Sequence, residues 1–202
     1  MLNRIYGSDL IMNGTASYSS ERRNRYELIN GETYMMSSPG VSHVRVNGNL
    51  HKIFGNYLAG KRCEPFNQFN VFFSETDHFI PDEIIVCNPD IVEDDVVHGT
   101  PDLVVEILSK STARKDKNEK FFKYEQYGVK EYWIVDPFSK SVDVYHLIND
   151  KLVRDEFTYA LYTDIEFKQL DEEEKAESKF YIKVSIYDDF YVKLDDIFDR
   201  VK

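Results

Sequence analysis

The residue in this chain that most needs a chemical explanation is a carboxylate in the middle of a strand. Glu106 lies in Leu103-Val104-Val105-Glu106-Ile107-Leu108, a run otherwise wholly aliphatic. Burying such a group alone costs several kcal/mol, so it calls for a lysine or a metal ion as partner. Asp102 shares its face, because side chains alternate along a strand. Four residues at ~3.3 Å each nevertheless separate the two by roughly 13 Å, whereas Mg2+ takes oxygens at about 2.1 Å. They are therefore not joint ligands of one ion, and the second carboxylate must come from a neighbouring strand. Asp82 is the candidate. It opens Asp82-Glu83-Ile84-Ile85-Val86-Cys87 directly after Pro81, and antiparallel pairing brings the start of one strand to the end of the next. Asp90 competes, but turn formation at Asn88-Pro89 accounts for it.

The segment that follows supplies the lysine. Ser109, Ser111 and Thr112 are candidate helix caps and Gly128 is a natural stop. Between them Ala113, Phe121, Tyr124 and Tyr127 fall on one helical face, which must look at the sheet. Lys120 lies near the centre of that stripe, Lys117 beside it and Asp116 at its border. A lysine aimed at the sheet wants a carboxylate, and Glu106 is on the strand that feeds this helix. A buried Glu–Lys pair without chemistry explains these two residues equally well. What favours a site is that Asp82, Glu106 and Lys120 fall into one constellation. Two carboxylates and a lysine suit phosphodiester hydrolysis assisted by Mg2+ or Mn2+.

Several elements must position these groups. Asn30-Gly31 between Tyr26–Ile29 and Glu32–Met36 is a hairpin signal. A helix is expected from Ser42, with Val46, Leu50, Ile53, Phe54, Tyr57 and Leu58 at helical spacing and Gly60 closing it. Asn67–Ser74 and Asp82–Cys87 read as strands, and the polar stretch 88–100 as a connection. Glu131–Asp136 reads as the strand after the crossover helix, and Val142–His146 as a strand paired back on it. The charged run 171–179 reads as a solvated loop, Tyr181–Ile186 as a strand and Leu194–Val201 as a terminal helix. This order predicts an α/β (α+β) fold, a mixed sheet flanked by helices. Residues 1–20 read as a flexible lead-in and residues 21–202 as a single domain.

Composition narrows the function classes. With 42 % apolar and 14 % aromatic residues in 202, the chain can bury a core. A net charge of −11 argues against a broad basic face for phosphate backbones but not against a site where a metal supplies positive charge. The two cysteines, Cys63 and Cys87, show neither metal-type spacing nor disulfide density, and the five histidines form no ligand pair, which argues against zinc. No apolar run approaches ~18 residues and no signal-peptide core opens the chain. A cytoplasmic protein without membrane contact is expected.

The motifs PDLVVEILSKST (101–112), DKNEKFFKY (116–124) and GVKEYWIVDP (128–137), with Pro81-Asp82, resemble those of the Uma2 family of restriction-endonuclease-like proteins. YELINGETYMMSSPGVSH (26–43) and SIYDDFYVKLDDIF (185–198) are similar to its flanking segments. The resemblance implies a PD-(D/E)XK nuclease fold with Asp82 as first acid, Glu106 as second, both on the metal, and DNA as substrate. The usual lysine two residues after the second acid is Leu108 here, and Lys120 on the helix takes its place. Glu27, Asp102, Ser109, Asp116 and Tyr124 fall on family-like positions with supporting or structural roles; Glu27 could reach the metal, and His43 could contact substrate. A homodimer is expected, since cutting two strands takes two sites. The alternative is a non-cleaving module that keeps the pocket and acts by dimerisation or by binding DNA or protein.

Overall fold

Asn30 and Gly31, both at positive φ (54° and 79°), turn the chain back on itself between β1 (Tyr26–Ile29) and β2 (Glu32–Met35). That is the backbone an Asn-Gly hairpin demands. The computed structural model describes residues 25–109, 116–177 and 179–202. The expected lead-in 1–20 and the cap candidates Ser111 and Thr112 lie outside the described residues, as does Ala113. α1 follows as Val41–Leu58, one residue earlier than Ser42 predicts. Its inward stripe of Val46, Leu50, Phe54 and Leu58 is buried, each residue contributing about 1.5–3 kcal/mol relative to exposure.

Next come β3 (Glu64–Asn67), β4 (Asn70–Phe72), β5 (His78–Phe79), β6 (Glu83–Val86), β7 (Val96–His98) and β8 (Leu103–Ile107). α2 (Asp116–Tyr127), β9 (Glu131–Asp136), β10 (Ser141–Ile148), β11 (Lys151–Arg154) and β12 (Tyr159–Ala160) continue the chain. It closes with α3 (Asp164–Gln169), α4 (Glu172–Glu177), β13 (Tyr181–Lys183), β14 (Tyr191–Lys193) and α5 (Leu194–Ile197). A seven-stranded mixed sheet runs β11-β10-β9-β8-β6-β3, with β12 paired to β10. β8 and β9 are parallel across the α2 crossover, while β6–β8 and β9–β10 are antiparallel. A five-stranded sheet, β2-β1-β5-β4-β7, packs beside it, and β13 and β14 form a hairpin.

The central sheet divides the core in two. Leu103, Val105, Ile107 and Ile85 face α1, α5 and the C-terminal segment, whereas Val104, Ile84 and Val86 face Tyr124 of α2 and the five-stranded sheet. Strand alternation thus sends the even positions of β6 and β8, and with them Asp82 and Glu106, to the α2 side.

Four expectations need correction. Asn67–Ser74 is not one strand: Gln68 at φ 47° breaks it, leaving β3 in the large sheet and β4 in the small one. The stretch 88–100 is more than a connection, since β7 pairs in parallel with β4. The run 171–179 is solvated but largely helical, because Asp171 and Glu174 cap α4 reciprocally through side chain and backbone. Cys63 and Cys87 form a disulfide. They flank the Glu64↔Val86 pair of antiparallel β3 and β6, so pairing brings them together despite a sequence separation of 24. Cysteine usage therefore loses its force as an argument for a reducing compartment. Among the described residues no helix is long and apolar enough to cross a membrane.

Candidate active site

The register Glu83↔Val105 of β6 and β8 makes Asp82 and Glu106 the next opposed pair. Both approach the same pocket, of about 620 Å3. Asp82 is held rigidly: its Oδ2 accepts from the Ile107 amide at 2.8 Å and lies 3.1 Å from His43 Nε2 at the start of α1. Its carbonyl accepts from Asn47 Nδ2 and from the Gln68 amide. Glu106 accepts through Oε1 from Lys120 Nζ at 3.0 Å and Tyr124 OH at 2.6 Å. Lys120 also donates to Glu27 Oε1 at 2.6 Å, and Glu27 in turn holds the Ile80 amide. Two strands, two helices and the β1–β2 hairpin thus converge on one point.

The charges are unbalanced. Glu27, Asp82 and Glu106 face one lysine, and all but Glu106 are at least nine-tenths buried. Burial pushes the Glu106 carboxyl up to about 7; Lys120 pulls it down, while Asp82 and Glu27 push it further up. Burial lowers Lys120, but Glu106 and Glu27 outweigh it and keep the amine protonated well beyond its ordinary range. For His43 burial again disfavours the charge, and the bond to Asp82 leaves the net shift upward. Two polar atoms lining this region, His43 Nδ1 and Tyr132 OH, are buried without a hydrogen-bond partner.

The donor set can be tested against a metal. Asp82 Oδ1 and Glu106 Oε2 take none of the hydrogen bonds above, leaving two carboxylate oxygens from adjacent strands beside the pocket. Among the described residues no group of three or more His, Cys, Asp or Glu is arranged to hold an ion. That set does not suit zinc, which wants three or four protein ligands. It does suit Mg2+, which is commonly held by one or two carboxylates with water and substrate oxygens completing the shell.

Of the residues singled out from sequence, Glu27, His43, Asp82, Glu106, Lys120 and Tyr124 meet here, and Ser109 lines the wall. Leu108 also lines it, and the amine that reaches Glu106 comes from Lys120. Asp102 does not belong to the group. At the far end of β8 its Oδ2 accepts from the Cys87 amide and its Oδ1 from Lys130, tying the strand start to its neighbours. α2 begins with Asp116, but the side chains of Asp116 and Lys117 lie outside the described residues. Sequence reasoning missed Arg25, Tyr34, Met36, Gln68 and Tyr132 in the lining. A signal existed: the hairpin register Glu27↔Tyr34 puts every second residue of both strands on the face that carries Glu27.

Comparisons with known proteins bear on the family and the fold. The model of the Uma2 family, described as "Putative restriction endonuclease", matches residues 15–175. Two uncharacterized proteins of Synechocystis sp. are similar. slr1290 is 29 % identical over 66 % of this chain and 72 % of its own length, and sll1609 is 28 % identical over 62 % and 73 %. A crystal structure from Anabaena variabilis, titled as a putative nuclease belonging to DUF820, shares the fold with a TM-score of 0.68. It covers 88 % of this chain and 91 % of its own at 15 % identity.

Proposed function

The chain belongs to the Uma2 family, and from that premise we propose that it is a metal-dependent nuclease that hydrolyses phosphodiester bonds of DNA at the Asp82–Glu106–Lys120 pocket. The observation that carries the reading is the convergence of two carboxylates from neighbouring strands, each with one oxygen that accepts from no donor among the described residues, beside a buried lysine bonded to two carboxylates. Asp82 and Glu106 would hold Mg2+ or Mn2+. When bound, that ion supplies a polarised phosphoryl oxygen and a more acidic water.

The remaining work falls to the chain's own groups. Lys120 has three N–H donors and spends two, on Glu27 and Glu106. Its third donor is available to a phosphate oxygen, where a fixed positive charge stabilises the charge that develops as the water–phosphorus bond forms and the bond to the leaving oxygen breaks. The two carboxylates bonded to the amine favour its charged form, so its part is electrostatic; the proton of the attacking water passes to solvent, and the leaving oxygen takes one from solvent. Glu27 and Tyr124 keep Lys120 and Glu106 in position. His43 fixes Asp82 through Nε2 and keeps Nδ1 for a water or a substrate oxygen.

The test combines binding and turnover. Wild type should gain thermal stability with Mg2+ or Mn2+, about 3 kcal/mol at a hundred times Kd, and should cut DNA with Mn2+. Glu106→Gln should lose both. A wild type that gains nothing from either ion refutes the metal assignment. Ion-dependent stabilisation without cutting points instead to the non-cleaving alternative.

A further inference from the structure

We propose that this pocket admits nucleic acid as an unpaired strand, with one nucleotide at the floor, and that the β1–β2 hairpin is the wall that grips it. The inference rests on the nuclease reading above and names its substrate class. Depth is the first argument. Asp82, Glu27 and Lys120 are each 7 % exposed and His43 9 %, so a scissile phosphate must descend to reach them. The pocket's volume of about 620 Å3 lies in the range that encloses single small ligands. A duplex carries its phosphates on the outside of a stiff rod, which fits less well over groups this buried. An unpaired strand can lower a phosphate to them, because its backbone bends and its bases splay.

The wall is the second argument. Arg25, Glu27, Tyr34 and Met36 share the inner face of the hairpin, as the Glu27↔Tyr34 pairing and the Met36 amide bond to the Arg25 carbonyl require. All four line the pocket. Glu27 serves the floor; the others form a bracket of different chemistry. The half-buried Tyr34 ring and the Met36 thioether offer an apolar, polarisable surface on which any base can lie. Arg25 donates to Gln68 Oε1 at 2.7 Å and to the Gln68 carbonyl at 2.8 Å. Those acceptors are neutral, and among the described residues no carboxylate pairs with it, so its charge is uncancelled and three of its five N–H groups are uncommitted. One pocket thus offers a guanidinium for a flanking phosphate, a ring and thioether for a base, and a buried lysine for the scissile phosphate.

An unpaired polynucleotide and a free dinucleotide share this chemistry, and separate arms of the test distinguish them. Wild type, Tyr34→Ala and Met36→Ala are compared with Mn2+ on a single-stranded oligonucleotide, the same sequence as a duplex, and a dinucleotide. Cleavage rate, fluorescence-anisotropy binding and melting temperature are read for each. The single strand should be cut and bound at least about tenfold better than the duplex. Each variant should raise KM for it by roughly fivefold to a hundredfold, the usual cost of losing one stacking partner, with kcat little changed and the fold retained. Equal handling of duplex and single strand overturns the proposal, as does an unchanged KM in both variants. Turnover of the dinucleotide alone overturns the polymer substrate. Single-strand binding that depends on Tyr34 without any cutting sinks the nuclease reading and leaves the pocket's preference standing. If nothing is cut and nothing binds preferentially, both fall.

Discussion

Replacing Lys120 with methionine keeps most of the stem and removes the charge that two buried carboxylates share. Glu27 lies 2.6 Å and Glu106 3.0 Å from Nζ, and the lysine is 7 % exposed. Removing one partner of such a group leaves the others uncompensated, a loss of about 3–5 kcal/mol. For a chain of 202 residues that is roughly 6–20 °C in Tm. The loss must depend on pH, and its sign follows from Glu106. With Lys120 present its carboxyl already sits at about 7, above its ordinary 4.5, because burial outweighs the lysine's pull. Without the lysine it rises further. A carboxyl raised on folding binds more protons folded than unfolded, so variant stability falls as pH climbs from about 4.5 through the raised value. Wild type falls in the same way up to about 7, so the difference between the two should be smallest from about pH 4.5 to 7, where Glu106 is protonated in both, and should widen above about 7 through the variant's higher value, to about pH 9. Thermal unfolding of both proteins across that range, in chelator, measures it. An equal Tm loss at both ends would refute the reasoning and reduce Lys120 to its packing.

Two further outcomes concern the frame around the site. Reducing the Cys63–Cys87 disulfide, which closes a loop of 24 positions, should cost about 3 kcal/mol; paired melts with and without reductant check it, and no shift would count against the bond. Glu131→Ala removes the acceptor of the Trp133 indole and of the Ser185 amide and hydroxyl. Ser185 is exposed and can turn to water, but leaving the buried Trp133 indole unpaired should cost about 1–3 kcal/mol, and Trp133, the only tryptophan, reports it through red-shifted fluorescence; an unshifted spectrum with an unchanged Tm would show the indole finds another partner.

The elements legible in the sequence were those whose local chemistry agrees with their tertiary setting. Asn30-Gly31 demands a hairpin whatever surrounds it, and the Val46-Leu50-Phe54 stripe demands an apolar partner. Asp82 and Glu106 were legible as a pair because strand spacing excludes Asp102 and antiparallel pairing supplies the alternative. Lys120 followed from helical phase. What remained hidden was set by distant pairing. β4 is held between β5 and the distant β7, the Gln68 break depends on the Asp82 carbonyl and the Arg25 guanidinium, and the cysteines meet only because β3 lies beside β6. Arg25 and Met36 carry no motif of their own. Their place on the pocket face follows from the hairpin register, which gains meaning once Glu27 is known to reach Lys120.

One consequence of the alternation ties stability to the site. The odd positions Ile85, Leu103, Val105 and Ile107 belong to the apolar core on the α1 side, while Asp82 and Glu106 point the other way from the same two strands. A slip of one residue would carry the carboxylates into that core and the aliphatic chains into the pocket. The core on one face therefore holds the register of the charged group on the other. The Ile107 amide makes the link direct, since its side chain packs in the α1 core while its N–H holds Asp82 Oδ2. The surplus of buried carboxylates over lysines among the described residues is kept in place by packing on the opposite face of the sheet. The ion proposed for this site would, if bound, offset the burial and the repulsion from Asp82 and Glu27 that together raise Glu106.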